Sequence, residues 1–258
     1  GEELTFAADT DREDRRVAGG FTPTVPGDRA IAAVPCDDAG PGAEDMPLCS
    51  LGQAGAKARQ GIPQAILVRG GVYGGTPVSI YRIVAIVRVG EEAVEITGSL
   101  QGALLIIDGG GGARVYLDGL DIRDNAQSIG VSCGGADLWV DRTLIRGHQS
   151  GILTSTGCQM RMRGSVVTGN HADGVYLNWH PNVIENSFIT DNGDKILEPD
   201  NYRGGIYLNQ DAQVELNYTT LVGNDAPMNL GASINCWGPA SILSMRNSIA
   251  FNKSSYNT

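Results

Sequence analysis

Long apolar runs are missing from this sequence. The longest, such as Ile83 to Val87 and Ala103 to Ile107, are five residues, against the roughly 18 that a membrane-spanning helix needs, so no membrane span is expected. Basic runs are missing too. The chain carries 19 Lys and Arg against 29 Asp and Glu, a net charge of −10, and no Lys/Arg stretch is interleaved with aromatics, so nucleic acid is not an expected partner. Cysteines at C-x-x-C spacing and paired His/Cys clusters are absent, which argues against a structural zinc site, and no metal ligands are assigned. Aromatic residues make up only 6% of the chain, and its 36 glycines follow no Gly-X-Y period, which excludes collagen.

What the sequence does contain is repetition. Short segments led by glycine recur at Gly130-Val-Ser-Cys-Gly134, Gly151-Ile-Leu-Thr-Ser155, Gly174-Val-Tyr-Leu-Asn178, Gly205-Ile-Tyr-Leu-Asn209 and Gly231-Ala-Ser-Ile-Asn235. Second alternating segments follow the first four, such as Met160-Arg-Met-Arg-Gly-Ser-Val-Val167 and Val183-Ile-Glu-Asn-Ser-Phe-Ile189. Asn125, Asn170, Asn192, Asn224 and Asn252 punctuate the units. Strict alternation argues strands, and units of about 22 residues are too short for two helices plus turns. The expected fold is therefore all-β, a parallel β-helix of six to seven coils. Val131, Ile152, Val175, Ile206 and Ala232 should face inward, together with Cys133, Thr154, Leu177, Leu208 and Ile234. Ser132, Leu153, Tyr176, Tyr207 and Ser233 should face outward. On the second segments Asp141, Arg163 and Glu185 align as cross-coil charges, and Trp139 aligns with Arg161.

The run Gly174-Val-Tyr-Leu-Asn178 followed by Val183-Ile-Glu-Asn-Ser-Phe-Ile-Thr-Asp-Asn192 resembles the right-handed parallel β-helix repeats of the pectin-lyase-like superfamily, over roughly residues 65–252. Upstream, Asp38 to Leu51 and Ile66 to Tyr73 are similar to the entry segment of secreted bacterial members, which implies an N-terminal capping helix and an extracellular or cell-surface location. Leu51 to Arg59, stopped by Gly61-Ile-Pro63, has the composition of that helix. Three parts are expected: an acidic, extended or partly disordered lead-in over residues 1–35, a cap over 36–64, and the β-helix over 65–258. The first residue is Gly and no leader pattern follows it, as expected of a mature or trimmed chain, and the end soon after Asn252 suggests truncation.

Cys36 and Cys49 flank the loop entering the cap, at a spacing a disulfide would close. Cys133 and Cys158 fall on adjacent coils near one corner, but Cys133 reads as an inward core residue, so their pairing is left open; Cys236 reads as a free thiol. The chain lacks the Asn-Thr-Asp, Asp-Asp and Arg-Ile-Lys motifs of polygalacturonase-like hydrolases, and Gly147-His148 matches only part of their Gly-His-Gly segment. Repeats of the stacked frame bring Tyr176, Asn178, Trp179 and His180 beside Tyr207, Asn209, Gln210 and Asp211 at one corner. Stacked tyrosines and a tryptophan suit sugar rings, so these residues are the candidate contacts for a polysaccharide or cell-surface glycan. Asn178, Asn209 and Asn235 can equally be a turn-supporting ladder, and Tyr a favoured strand residue. The favoured role is a non-catalytic glycan-binding or structural module without cofactor. The alternative is a polysaccharide lyase, in which Tyr176, His180, Tyr207 and Arg203 would move protons or balance charge, with Asp173 and Asp211 beside Arg203 as a calcium-type cluster. No trimer-forming apolar stripe is apparent.

Overall fold

The computed structural model describes residues 29–31, 36–39, 47–58, 64–74, 77–98, 102–123, 128–194, 203–227 and 231–251. The chain winds as a parallel β-helix whose strands stack coil upon coil in three faces. The first face holds Val78–Ile80, the starts of the long strands Gly102–Asp118 and Ser128–Asp141, then Ser150–Thr154, Asp173–Asn178, Gly204–Asn209 and Ile234–Cys236. The second runs from Gln64–Val68 through Ile83–Arg88, the ends of both long strands, Gln159–Arg163, Pro181–Glu185 and Gln213–Asn217 to Ile242–Arg246. An eight-stranded sheet from Gly71–Tyr73 to Ile249–Phe251 forms the third, so the described residues make eight rungs rather than six to seven. The extra rungs come from residues 64–97, which lack the glycine-led signature.

Two periodicities place the core. Alternation sends Val131, Ile152, Val175 and Ile206 inward on the first face, while Ile122, Ile145, Val167, Ile189 and Leu221 do the same on the third. The recurring glycine has a steric cause: a Cβ on Gly174 would lie 2.6 Å from the Gly205 carbonyl oxygen and 2.8 Å from the Asn192 amide. Coils at this spacing admit no side chain there.

Turns between faces are held by buried polar ladders. Asn170, Asn192 and Asn224 stack, the backbone N–H of each of the first two donating to the next side-chain oxygen at 3.1 and 3.0 Å. Asn125 and Asn252 lie outside the described residues. His148 occupies the preceding place in this ladder, its N–H donating to Asn170 Oδ1 and its ring bridging Ser128 Oγ and the Ile122 carbonyl. Fully buried, it is part of the scaffold. A second ladder of Thr143, Ser165 and Ser187 was not read from the sequence; the Thr143 and Ser165 N–H groups donate to the next hydroxyl. Its trace is a Ser or Thr that follows a residue in the left-handed region, Arg142, Gly164 or Asn186.

The helix Leu51–Lys57 stands over Val78–Ile80, where the first coil would otherwise present a strand. Ser50 caps it by accepting from Gln53 N–H, and Asp38 Oδ1 accepts from the Cys49 and Ser50 N–H groups at 2.9 Å each. Cys36 and Cys49 are bonded, Cys236 is free and exposed, and the open pair Cys133–Cys158 is also a disulfide, inside the core. An inward cysteine still reaches its partner because Cys158 also turns inward on the neighbouring coil. Of the lead-in, Arg29–Ile31 is described, as a strand parallel to Gln64–Val68. The remainder of residues 1–35, Arg59 and the Gly61-Ile-Pro63 stop lie outside the described residues.

The last coil corrects the expected register. Ile234 pairs with Ile206 and Cys236 with Leu208, so Ala232 does not share the Ile206 row, and Ser233, expected outward, is buried. Asn235 pairs with Tyr207 and does not continue the row of Asn178 and Asn209. Gly231 was the false guide. Its equivalent in the glycine row is Ser233, whose carbonyl oxygen is 2.6 Å from where a Gly205 Cβ would sit.

Candidate functional site

The outward row of the first face reads Ser132, Leu153, Tyr176, Tyr207 and Asn235. Strand register stacks the two tyrosine rings, their centroids 4.9 Å apart. Arg203, at the end of the long insertion that starts at Gly193, lays its guanidinium over both, 4.7 Å from Tyr176 and 4.9 Å from Tyr207. The same guanidinium forms a two-bonded ion pair with Asp173, which is fully buried and also accepts from Ser150 Oγ at 2.9 Å. A desolvated carboxylate is tolerable only with such partners. The arginine therefore covers the tyrosines, and Tyr207, expected outward and open, is buried. Burial pushes both phenols above their ordinary pKa, and the nearby Arg203 charge only partly offsets this. Neither is poised as a base.

Asn209 links the tyrosine row to the corner beyond it. Its Nδ2 donates to Tyr176 Oη and to Asn178 Oδ1, both at 2.9 Å, while Asn178 N–H donates to Thr154 Oγ1. At the turn itself Trp179, Gln210 and Asp211 all adopt positive φ, at 63°, 49° and 63°. For a bulky side chain that conformation costs on the order of 1–3 kcal/mol. Trp179 nonetheless keeps 42% of its surface open. The His180 carbonyl accepts from Asn182 Nδ2 at 2.6 Å and its N–H donates to the Asn178 carbonyl. Among the described residues, no hydrogen bond joins its ring to either tyrosine.

The predicted set thus divides. Tyr176, Tyr207 and Arg203 gather at the start and middle of the face with Asp173, whereas Trp179, His180, Gln210 and Asp211 share the corner at its far end. Asp211 does not join Asp173 and Arg203. Asp173 pairs with Gly204, and the five steps from there to Asn209 alone span roughly 17 Å of strand. Asp211 instead accepts the Ala240 N–H at 3.0 Å. Among the described residues no three His, Cys, Asp or Glu side chains converge to hold a metal ion. Sequence reasoning placed Asn235, whose buried Nδ2 has no partner among the described residues, in the row of Asn178 and Asn209, and it missed Trp237, 65% exposed. The register slip accounts for both.

Elsewhere the outward charges pair with one another. Asp141 meets Arg163 at 3.3 Å and accepts from Tyr116 Oη at 2.8 Å, and Arg163 stands opposite Glu185 in register, as Trp139 does opposite Arg161. The glycine run 109–112 forms a bulge beside a cavity of about 320 Å³. The charges lining it, Arg114 and Asp137, are paired at 3.5 Å.

Comparison with known proteins agrees with this architecture. No curated protein is significantly similar in sequence. Among solved structures, pectate lyase Pel9A superposes with a TM-score of 0.55 at 14% identity, over 88% of this chain and 78% of that one. Pectin methylesterase PemA from Erwinia chrysanthemi does so with a TM-score of 0.53 at 11% identity, over 89% and 90%. At such identities the likeness concerns the fold alone. Residues 91–253 match the family described as the right handed beta helix region, and this chain belongs to that family.

Proposed function

We propose that this protein is a secreted or cell-surface module that holds a glycan at the corner formed by Asn178, Trp179, His180, Asn209, Gln210 and Asp211, and does not transform it. The observation that carries this reading is Trp179: a half-open indole kept in a strained backbone conformation, beside the exposed amide of Gln210, which can hydrogen-bond sugar hydroxyls. The groups a lyase would need are engaged in the scaffold instead. Arg203 is committed to Asp173 and to the tyrosine faces, Tyr176 accepts from Asn209, and both phenols hold their protons more tightly than free tyrosine. Two disulfides support an oxidising compartment, and no helix among the described residues is long and apolar enough to cross a membrane.

Calorimetric titration against a glycan panel, run beside an assay for unsaturated products with and without calcium, tests the proposal. Binding without turnover is expected, with Trp179→Ala weakening it by roughly 1–3 kcal/mol and leaving the melting temperature nearly unchanged. Turnover that disappears in Tyr207→Phe or His180→Ala while binding persists would instead establish the lyase alternative.

A further inference from the structure

We infer that this site extends to Trp237 and that its ligand is an uncharged, extended 1,4-linked pyranose chain lying along the solenoid axis; the inference rests on the glycan-binding reading above. Trp237 follows Cys236, which pairs with Leu208, and its N–H donates to the Leu208 carbonyl at 2.8 Å. It therefore registers with Asn209, at the corner that carries Trp179 one coil further back. Gly238 closes against the intervening turn: a Cβ there would lie 2.5 Å from Asp211 N and 3.0 Å from Gln210 N. The two open indoles are thus two coils apart on one corner, with the exposed amide of Gln210 between them.

Spacing selects the ligand. Coils advance by about 4.8 Å each, close to the advance of one pyranose residue along an extended 1,4-linked chain. Two coils therefore place the backbone positions that carry the indoles about two sugars apart along the axis, offset by one amino-acid residue across the corner. In a β-1,4 chain successive rings turn over, so rings two apart present the same face, and both indoles meet equivalent apolar surfaces.

Charge selects against acidic polymers. Among the described residues, the formal charges on this corner and on the adjoining halves of the second-face strands of the last three coils are Asp211 and Glu215, with His180 when protonated. Arg246 stands at the far end of its strand, and Arg203 is spent on Asp173. Among the described residues of these three coils no Lys or Arg other than the paired Arg203 faces the corner to neutralise a uronate carboxylate, and exposed Arg161 stands one coil further back in the row of Val183 and Glu215; Asp211, Glu215 and the Gln210 amide suit neutral hydroxyls.

Isothermal titration of the folded chain with cellobiose, cellotetraose and a galacturonate tetramer decides it. Cellotetraose should bind, Trp237→Ala should weaken it by about tenfold or more, and Trp237→Phe should restore most of the loss. Cellobiose is too short to cover both indoles and should be far less sensitive. Unchanged melting curves separate lost contact from lost fold. Tetramer binding that responds to Trp179→Ala but not to Trp237→Ala would overturn the extension and leave the glycan reading standing. Preference for the galacturonate tetramer would overturn the neutral ligand class. Failure of every glycan in the wider panel to bind would remove the reading on which both rest.

Discussion

At the scale of single residues, burial and charge act on the tyrosine pair in opposite senses, and burial wins. Tyr176 and Tyr207 have raised pKa values chiefly because their phenols are withdrawn from water, Arg203 pulling the other way. A free phenol ionises near pH 10. A folded pKa above the unfolded one means that the unfolded chain releases the proton first. The pair's contribution to stability is therefore complete below about pH 10 and is lost as the pH climbs through the raised folded values. Phenolate absorbance should show at least three groups in the native protein ionising above the ordinary range, Tyr73, Tyr176 and Tyr207, one of which disappears in Tyr207→Phe. Titration of Tyr176 and Tyr207 at the ordinary value would mean that withdrawal from water does not outweigh the Arg203 charge. The Arg203 cover over this pair was not legible in the sequence. Alternation correctly sent both rings outward, but Arg203 reaches them from the end of an insertion, and nothing local to Tyr207 records which side chain folds back.

Elements in this fold are joined at the turns by side-chain ladders as well as along their strand edges. The asparagine row was legible because Asn170, Asn192 and Asn224 share residue type and each closes a repeat unit, two residues after a third-face strand. His148 was not, because chemistry and not identity places it there: its Nδ1 faces the Ser128 hydroxyl and its Nε2 the Ile122 carbonyl. Asn192 makes the corresponding bond to the Val167 carbonyl one coil back. An asparagine at 148 should therefore serve nearly as well, whereas His148→Leu would orphan a buried hydroxyl and a carbonyl at roughly 1–3 kcal/mol each. Thermal melts of the two variants check this, with His148→Asn expected close to the parent and His148→Leu well below it. Equal losses would assign His148 a packing role and not a place in the ladder. The same contrast explains the last coil. Glycine was a sound marker wherever adjoining coils press on its Cα, but Gly231 is not in that row, and a backbone contact carried by Ser233 leaves no compositional trace.

For the whole molecule, stacking makes stability a property of neighbours, so each coil depends on the one after it as well as the one before. The inward row of the second face shows the consequence. Val214 and Leu216 are almost completely buried, while Leu243 and Met245, which pair with them on the last described coil, are each 38% exposed. The cap at the other end works in the opposite direction, since Leu51 and Ala54 cover the first coil and the Cys36–Cys49 bridge ties their loop. Opening should therefore proceed from the C-terminal coil, with local free energies rising toward the middle, where the Cys133–Cys158 bridge joins adjacent coils inside the core. Hydrogen exchange followed strand by strand should find the amides of Ile242–Arg246 exchanging well before those of Gln213–Asn217, since among the described residues the former pairs with one neighbouring strand and the latter with two. If both strands exchanged together at the global rate, the eight rungs would unfold as one unit and the nearest-neighbour account would fail. If Val78–Ile80, beneath the helix, exchanged first, the helix Leu51–Lys57 would not be closing the solenoid against fraying.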